Sequence, residues 1–144
     1  MIVKEIMSKN VVTIGPDVTV QNAAEKMVKH ETKFLIVIEK GKLHGIVTEW
    51  DFVKKVAGEE EFKENAKLET IMSKKVIVVP PDVEISDAAE IMSKNNIRKL
   101  PVVENNVLIG VVTAMEILAA EPKMLKQITD LIATSRQQQK PVAG

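Results

Sequence analysis

Apolar residues fall along this chain in two rhythms, one typical of strands and one typical of helices, and the same succession is written twice. Residues 11–14 (VVTI) form a short, largely β-branched run that predicts a strand. Pro16 and Asp17 end it. Val20, Ala23, Ala24, Met27 and Val28 then recur at helical spacing. Residues 34–38 and 43–47 read as two further strands around EKGK, and a second helix is expected from Thr48. Shifting the chain by 65 residues lays this pattern over residues 76–79, then over Ile85, Ala88, Ala89 and Met92, then over residues 100–103 and 107–112. Across residues 3–56 and 68–121, 20 of 54 aligned pairs are identical, far above what composition alone gives. Gly41 aligns with Asn106, and both residue types accept positive φ, so each strand pair should be a tight hairpin.

Each copy therefore predicts a βαββα unit, which makes the fold class α/β (α+β). A unit of this size is marginal alone, so the two should pack as one pseudo-symmetric module. The expected division is copy one at 1–58, a charged linker or frayed helix at 59–67, copy two at 68–121, and a C-terminal helix and tail at 122–144. Met124, Ile128, Leu131 and Ile132 form a helical stripe expected to pack on the body or on a second subunit, and QQQKPVAG should be disordered.

Composition narrows the function. The chain has 20 basic and 20 acidic residues among 144, so its formal net charge of zero does not favour sequence-independent nucleic-acid binding. It has no cysteine, which excludes disulfides, thiolate metal sites and a cysteine nucleophile. MIVKEIMSKN lacks the apolar stretch of a secretory signal, and no run is long enough to span a membrane, so a cytoplasmic protein is expected. There is no P-loop, nucleophile–base pair or dinucleotide glycine turn, so the expectation is a non-enzyme. His30 and His44 have no metal-ligand spacing, and no metal or required cofactor is expected.

The repeated phrase is GIVTEWD at 45–51 and GVVTAME at 110–116. Gly45 would permit close backbone approach, and Ile46 should line a wall beside the strand. Thr48 then stands at a strand-to-helix junction, where helix N–H groups suit a phosphate. Asp51 offers two oxygens to neighbouring hydroxyls. A Thr followed three residues later by an acid is equally the signature of a helix capping box. Spacing alone favours that structural reading.

IMSKNVVTIGPDVTVQNAAEKM, RKLPVV and GVVT together resemble the cystathionine-β-synthase (CBS) domain, and the tandem copies resemble a stand-alone CBS pair over residues 1–121. The resemblance implies a regulatory module, usually a disc-like homodimer acting on a target protein; a nucleic-acid-associated CBS protein and a purely structural dimerisation module are the alternatives. It also implies clefts between the repeats that take AMP, ADP, ATP or S-adenosylmethionine. It gives Thr48 to phosphate and Asp51 to the ribose diol. Glu suits a cap better than Asp does, so the Asp51 cleft should bind tightly and the Glu116 cleft weakly or differently. In copy two, Thr113 and Glu116 hold the corresponding places, and Arg98 and Lys99 match the phosphate end, where copy one has Lys33 and Phe34. Solvated edge charge is the competing reading for Arg98 and Lys99. Asn10, Val12, Lys75 and Ile77 fall where the base would be held, although plain packing explains the apolar pair equally well. Thr13, Thr32, Ile97 and Val111 complete the implied set. His30 is a weaker candidate, and Trp50 is expected to be partly buried.

Overall fold

A computed structural model describes residues 1–58 and 65–138. Residues 59–64 of the expected linker (59–67) and 139–144 of the expected disordered tail (137–144) lie outside the described residues, while Gln137 and Gln138, expected in that tail, end the last helix. The chain divides into two compact units. The first comprises Asn10–Val76 with Asn106–Leu108; the second comprises Met1–Lys9, Ile77–Asn105 and the chain from Ile109 onward.

In the first unit, β1 (Thr13–Ile14) pairs in parallel with β2 (Phe34–Glu39), which pairs antiparallel with β3 (Lys42–Thr48). Helix α1 (Val20–Lys29) begins at Thr19, whose side chain accepts the Asn22 N–H at 3.1 Å. It buries Val20, Ala23 and Met27. Val28, assigned to the same stripe by its spacing, is 78% exposed, because it lies just beyond the buried arc that Met27 closes. Helix α2 (Glu49–Phe52) continues as one wide turn, Val53–Ala57. The hairpin reverses at Lys40 and Gly41, both at positive φ (53° and 78°), as the sequence predicts.

The second unit repeats the plan with α3 (Ile85–Asn95), β4 (Lys99–Glu104), β5 (Val107–Thr113) and α4 (Ala114–Ala120). Asn105 and Asn106 make the equivalent positive-φ turn. The four-residue strand expected at 76–79 contracts to one bridge, Val79 with Val102. Proline explains the loss. In copy one the Ile36 N–H donates to the Val12 carbonyl at 3.2 Å, but the residue aligned with Ile36 is Pro101, which has no N–H. Helix α5 (Leu125–Gln138) buries Ile128 and Leu131 in this unit's core, so its stripe packs on the body. Ile132 is 37% exposed.

The lead-in segments are exchanged. IMSK at 6–9 opens copy one in sequence, yet the N-terminal segment packs with copy two. Val3 lies fully buried in the second unit's core, and its N–H donates to the Val83 carbonyl at 2.8 Å. Reciprocally, Leu68, Ile71 and Met72 complete the first unit's core, and the Leu68 N–H donates to the Val18 carbonyl at 2.8 Å. Ser73 pairs with Ile46 on β3, and Ser8 pairs with Val111 on β5. Each repeat's opening residues thus form the edge of the other copy's hairpin.

Candidate functional site

The exchange explains the glycine that opens each repeated phrase. A Cβ on Gly45 would stand 2.8 Å from the Ser73 carbonyl oxygen, and one on Gly110 would stand 2.8 Å from that of Ser8. The expected close approach is therefore real, and the approaching backbone is the crossing lead-in.

At the far end of β3, Thr48 leads into α2. Its N–H donates to Asp51 Oδ2 at 2.8 Å, and its hydroxyl lies 3.3 Å from the same oxygen. Asp51 is 8% exposed, a buried carboxylate paid for by these bonds. Neither bond falls on Oδ1. The Glu49 N–H, expected to be open to a phosphate, donates to the Lys33 carbonyl at 3.1 Å. The first amide of this helix end is therefore already satisfied.

In copy two the Ala114 N–H likewise donates to the Arg98 carbonyl at 2.9 Å. Thr113 Oγ1 accepts the Glu116 N–H at 3.3 Å and lies 3.2 Å from Glu116 Oε1. Both copies therefore cap their helices, and copy one, expected to be the less cap-like, makes the shorter contact. The carboxylates differ in their remaining oxygen. The additional methylene of Glu116 leaves Oε2 buried, without a hydrogen-bond partner among the described residues. Burial pushes the Glu116 carboxyl above its usual range, opposed by hydrogen bonds from the Thr113 side chain and from the Thr113 and Ser8 main chains.

A raised folded-state value favours the protonated form, so this group costs stability as pH rises from the ordinary carboxylate value through the raised one. Glu116→Gln abolishes that titration. The midpoint of the variant relative to wild type should therefore be higher at pH 7 than at pH 4.5, as thermal unfolding at the two pH values would show.

The first unit contains Asn10, Val12, Thr13, His30, Thr32, Lys33, Ile46, Thr48, Trp50, Asp51 and Lys75. Thr48 stands opposite Phe34 in the β2–β3 register, which brings Lys33 beside the Thr48–Asp51 turn. Thr32 accepts from the Phe34 N–H and donates to its carbonyl, an internal turn bond. The Thr13 carbonyl accepts from Lys26 Nζ, a main-chain contact that the sequence reading did not anticipate. Asn10, His30, Lys33 and Lys75 are exposed. Trp50, expected to be partly buried, is 62% exposed, because it sits on the outer side of the short α2. The second unit contains Ile77, Ile97, Arg98, Lys99, Val111, Thr113 and Glu116. Ile77 is 38% exposed, where the strand is lost opposite Pro101. Val111 is 1% exposed and pairs with Ser8, so it packs rather than lining an open wall.

A repeated βαββα unit with a Gly-x-x-Thr-x-x-acid turn closing each hairpin defines a tandem small-domain module. The CBS domain model matches residues 3–58 and 68–123, and this chain belongs to the CBS domain family. It is 35% identical over 130 residues to the protein MK0525 of Methanopyrus kandleri, covering 89% of this chain and 66% of that one. It is 32% identical over 110 residues to the CBS domain-containing protein YhcV of Bacillus subtilis, covering 76% of this chain and 78% of that one. Among solved structures, the CBS domain pair of MJ0100, in complex with 5′-methylthioadenosine and S-adenosyl-L-methionine, superposes with a TM-score of 0.73 at 33% identity, covering 83% of this chain and 94% of that one. No helix among the described residues is long and apolar enough to cross a membrane.

Proposed function

We propose that this chain is a non-catalytic regulatory module, working in the cytoplasm as a homodimer, that senses an adenosine-containing small molecule at the carboxylate-bearing ends of β3 and β5. The observation that carries this reading is its likeness to the MJ0100 CBS pair, which was solved with two adenosine-containing ligands. The geometry of copy one supports it. Thr48 fixes Asp51 through Oδ2, which leaves Oδ1 as a pre-oriented acceptor for a ribose hydroxyl. In copy two the corresponding free oxygen, Glu116 Oε2, is buried without a partner among the described residues, so the two carboxylates are not equivalent, in keeping with unequal affinities. Signalling requires the ligand to prefer one conformation of the module over another.

Capping and ligand binding share Asp51, so the informative substitution is Asp51→Asn. The amide oxygen can still accept the Thr48 N–H, while the amide nitrogen cannot accept a hydroxyl. Calorimetric titration with S-adenosylmethionine, 5′-methylthioadenosine, AMP and ATP should find a ligand for the wild type. The variant should bind it at least about tenfold more weakly, the loss expected for one hydrogen bond to a charged group. Its unfolding midpoint should stay near that of the wild type. A wild type that binds none of the four would overturn the assignment.

A further inference from the structure

We propose that Lys26 competes with the ligand of copy one. Its ammonium occupies the main-chain acceptor that an amino group on the ligand's base would use, which lowers the affinity of this copy for aminopurines relative to oxopurines. The inference rests on the adenosine reading above and adds the residue that sets the preference. β1 is the edge strand of the sheet β1–β2–β3. The Ile36 N–H donates to the Val12 carbonyl at 3.2 Å, so that carbonyl faces β2. The N–H and carbonyl of the next residue, Thr13, therefore face out of the edge. A donor beside an acceptor matches a 6-aminopurine, whose ring nitrogen accepts and whose amino group donates.

Here the acceptor is taken. Lys26 Nζ on α1 donates to the Thr13 carbonyl at 2.5 Å in a partly buried contact, and no carboxylate among the described residues pairs with this ammonium. Partial burial without a counterion is unfavourable, and the carbonyl compensates for it. The remaining N–H groups of Lys26 can meet a further acceptor but no donor. A 6-oxopurine presents an acceptor where a 6-aminopurine presents a donor. The ammonium thus suits the first base and must be displaced by the second. Thr13 opposes Ile36 and Thr48 opposes Phe34 on the two flanks of β2. The edge and the Thr48–Asp51 turn are two strand spacings apart across the sheet, about 10 Å, which a nucleoside with its ribose at Asp51 spans. Copy two provides the contrast, with Val78 aligned to Thr13 and Ile91 to Lys26. The Val79 N–H donates to the Pro101 carbonyl at 3.1 Å, so the main chain of Val78 also faces outward, and it has no bond among the described residues. Ile91 packs against the core and offers no competing donor.

Calorimetric titration of the full chain with AMP and IMP tests this. The two share ribose and phosphate and differ in the 6-substituent, so their affinity ratio cancels the effect of removing one positive charge. Lys26→Met keeps an apolar stem and removes the donor. The preference for AMP over IMP should rise about fivefold in the variant, the scale of one hydrogen bond gained, through tighter AMP binding. An unchanged or lower ratio overturns the proposal. A lysine that only guards the strand edge against pairing with another chain would give that result, with self-association of the variant. If wild type and variant both bind neither nucleotide, the adenosine reading falls together with this inference.

Discussion

Leu68→Ala is expected to destabilise the protein by about 3 kcal/mol, and the loss should appear in copy one although Leu68 belongs to copy two in sequence. Leu68 is fully buried with Val20, Ala23, Leu35, Val37 and Val47, all residues of the first repeat. Truncating a buried leucine removes its transfer energy and leaves a cavity, which together cost about 2–5 kcal/mol. Its N–H to Val18 and the Thr19–Lys67 bridge would remain, so the backbone path should survive in the variant. Residue-resolved hydrogen exchange gives the reading. Protection should fall across β2 and β3 while β4 and β5 keep theirs. If protection fell first in β4 and β5, the crossing of the lead-in would be wrong. Val3→Ala is the mirror experiment, because Val3 is the aligned residue and is fully buried in the second unit.

Gly110→Ala is expected to cost about 1–3 kcal/mol, the range for forcing an extra carbon into a packed site. The added Cβ would meet Met7 Sδ at 2.7 Å and the Ser8 carbonyl oxygen at 2.8 Å. The thioether can swing aside. The carbonyl cannot, because it accepts the Val111 N–H at 3.0 Å and the Ser8 N–H returns a bond to Val111 at 2.9 Å. Gly45→Ala should behave alike against Ser73. Gly15→Ala is the control, since nothing lies within 4 Å of its Cβ position. That variant should stay within about 0.5 kcal/mol of wild type. Denaturant unfolding of the three variants would rank them, and equal midpoints for Gly15→Ala and Gly110→Ala would refute the crowding account.

The two tests probe one architectural fact from opposite sides. The repeated glycine is needed because a backbone crosses it, and that backbone is lent by the other copy. The chain passes from one unit to the other near residues 9–10, 76–77, 105–106 and 108–109. Candidate ligand residues Asn10, Lys75 and Ile77 sit at or next to those passages.

Local chemistry made much of this legible in advance. The alternation at 34–38 and 43–47, the Ala-rich helical stripes and the Gly41–Asn106 correspondence all express preferences that a residue carries with it, and the hairpins and helices appear where these place them. The shortening of the strand at 76–79 was also written in the chain, at Pro101, but only pairing it against residue 77 reveals the missing donor. Two features could not be read this way. IMSK occurs in both lead-ins, so its residues fit either hairpin equally well, and which one they join depends on the path of the whole chain. The Thr-x-x-acid spacing allows a carboxylate to turn inward or outward, and a single methylene between Asp51 and Glu116 left one oxygen clear of the cap and the other buried without a partner. Sequence alone therefore determined the repeat, its elements and its turns, because these depend on neighbours within a few residues. Tertiary structure decided which copy each lead-in completes, because that rests on contacts between residues far apart in the chain, such as Leu68 with Val18 and Val3 with Val83, and it decided which carboxylate oxygen is buried, because that depends on the packing around it.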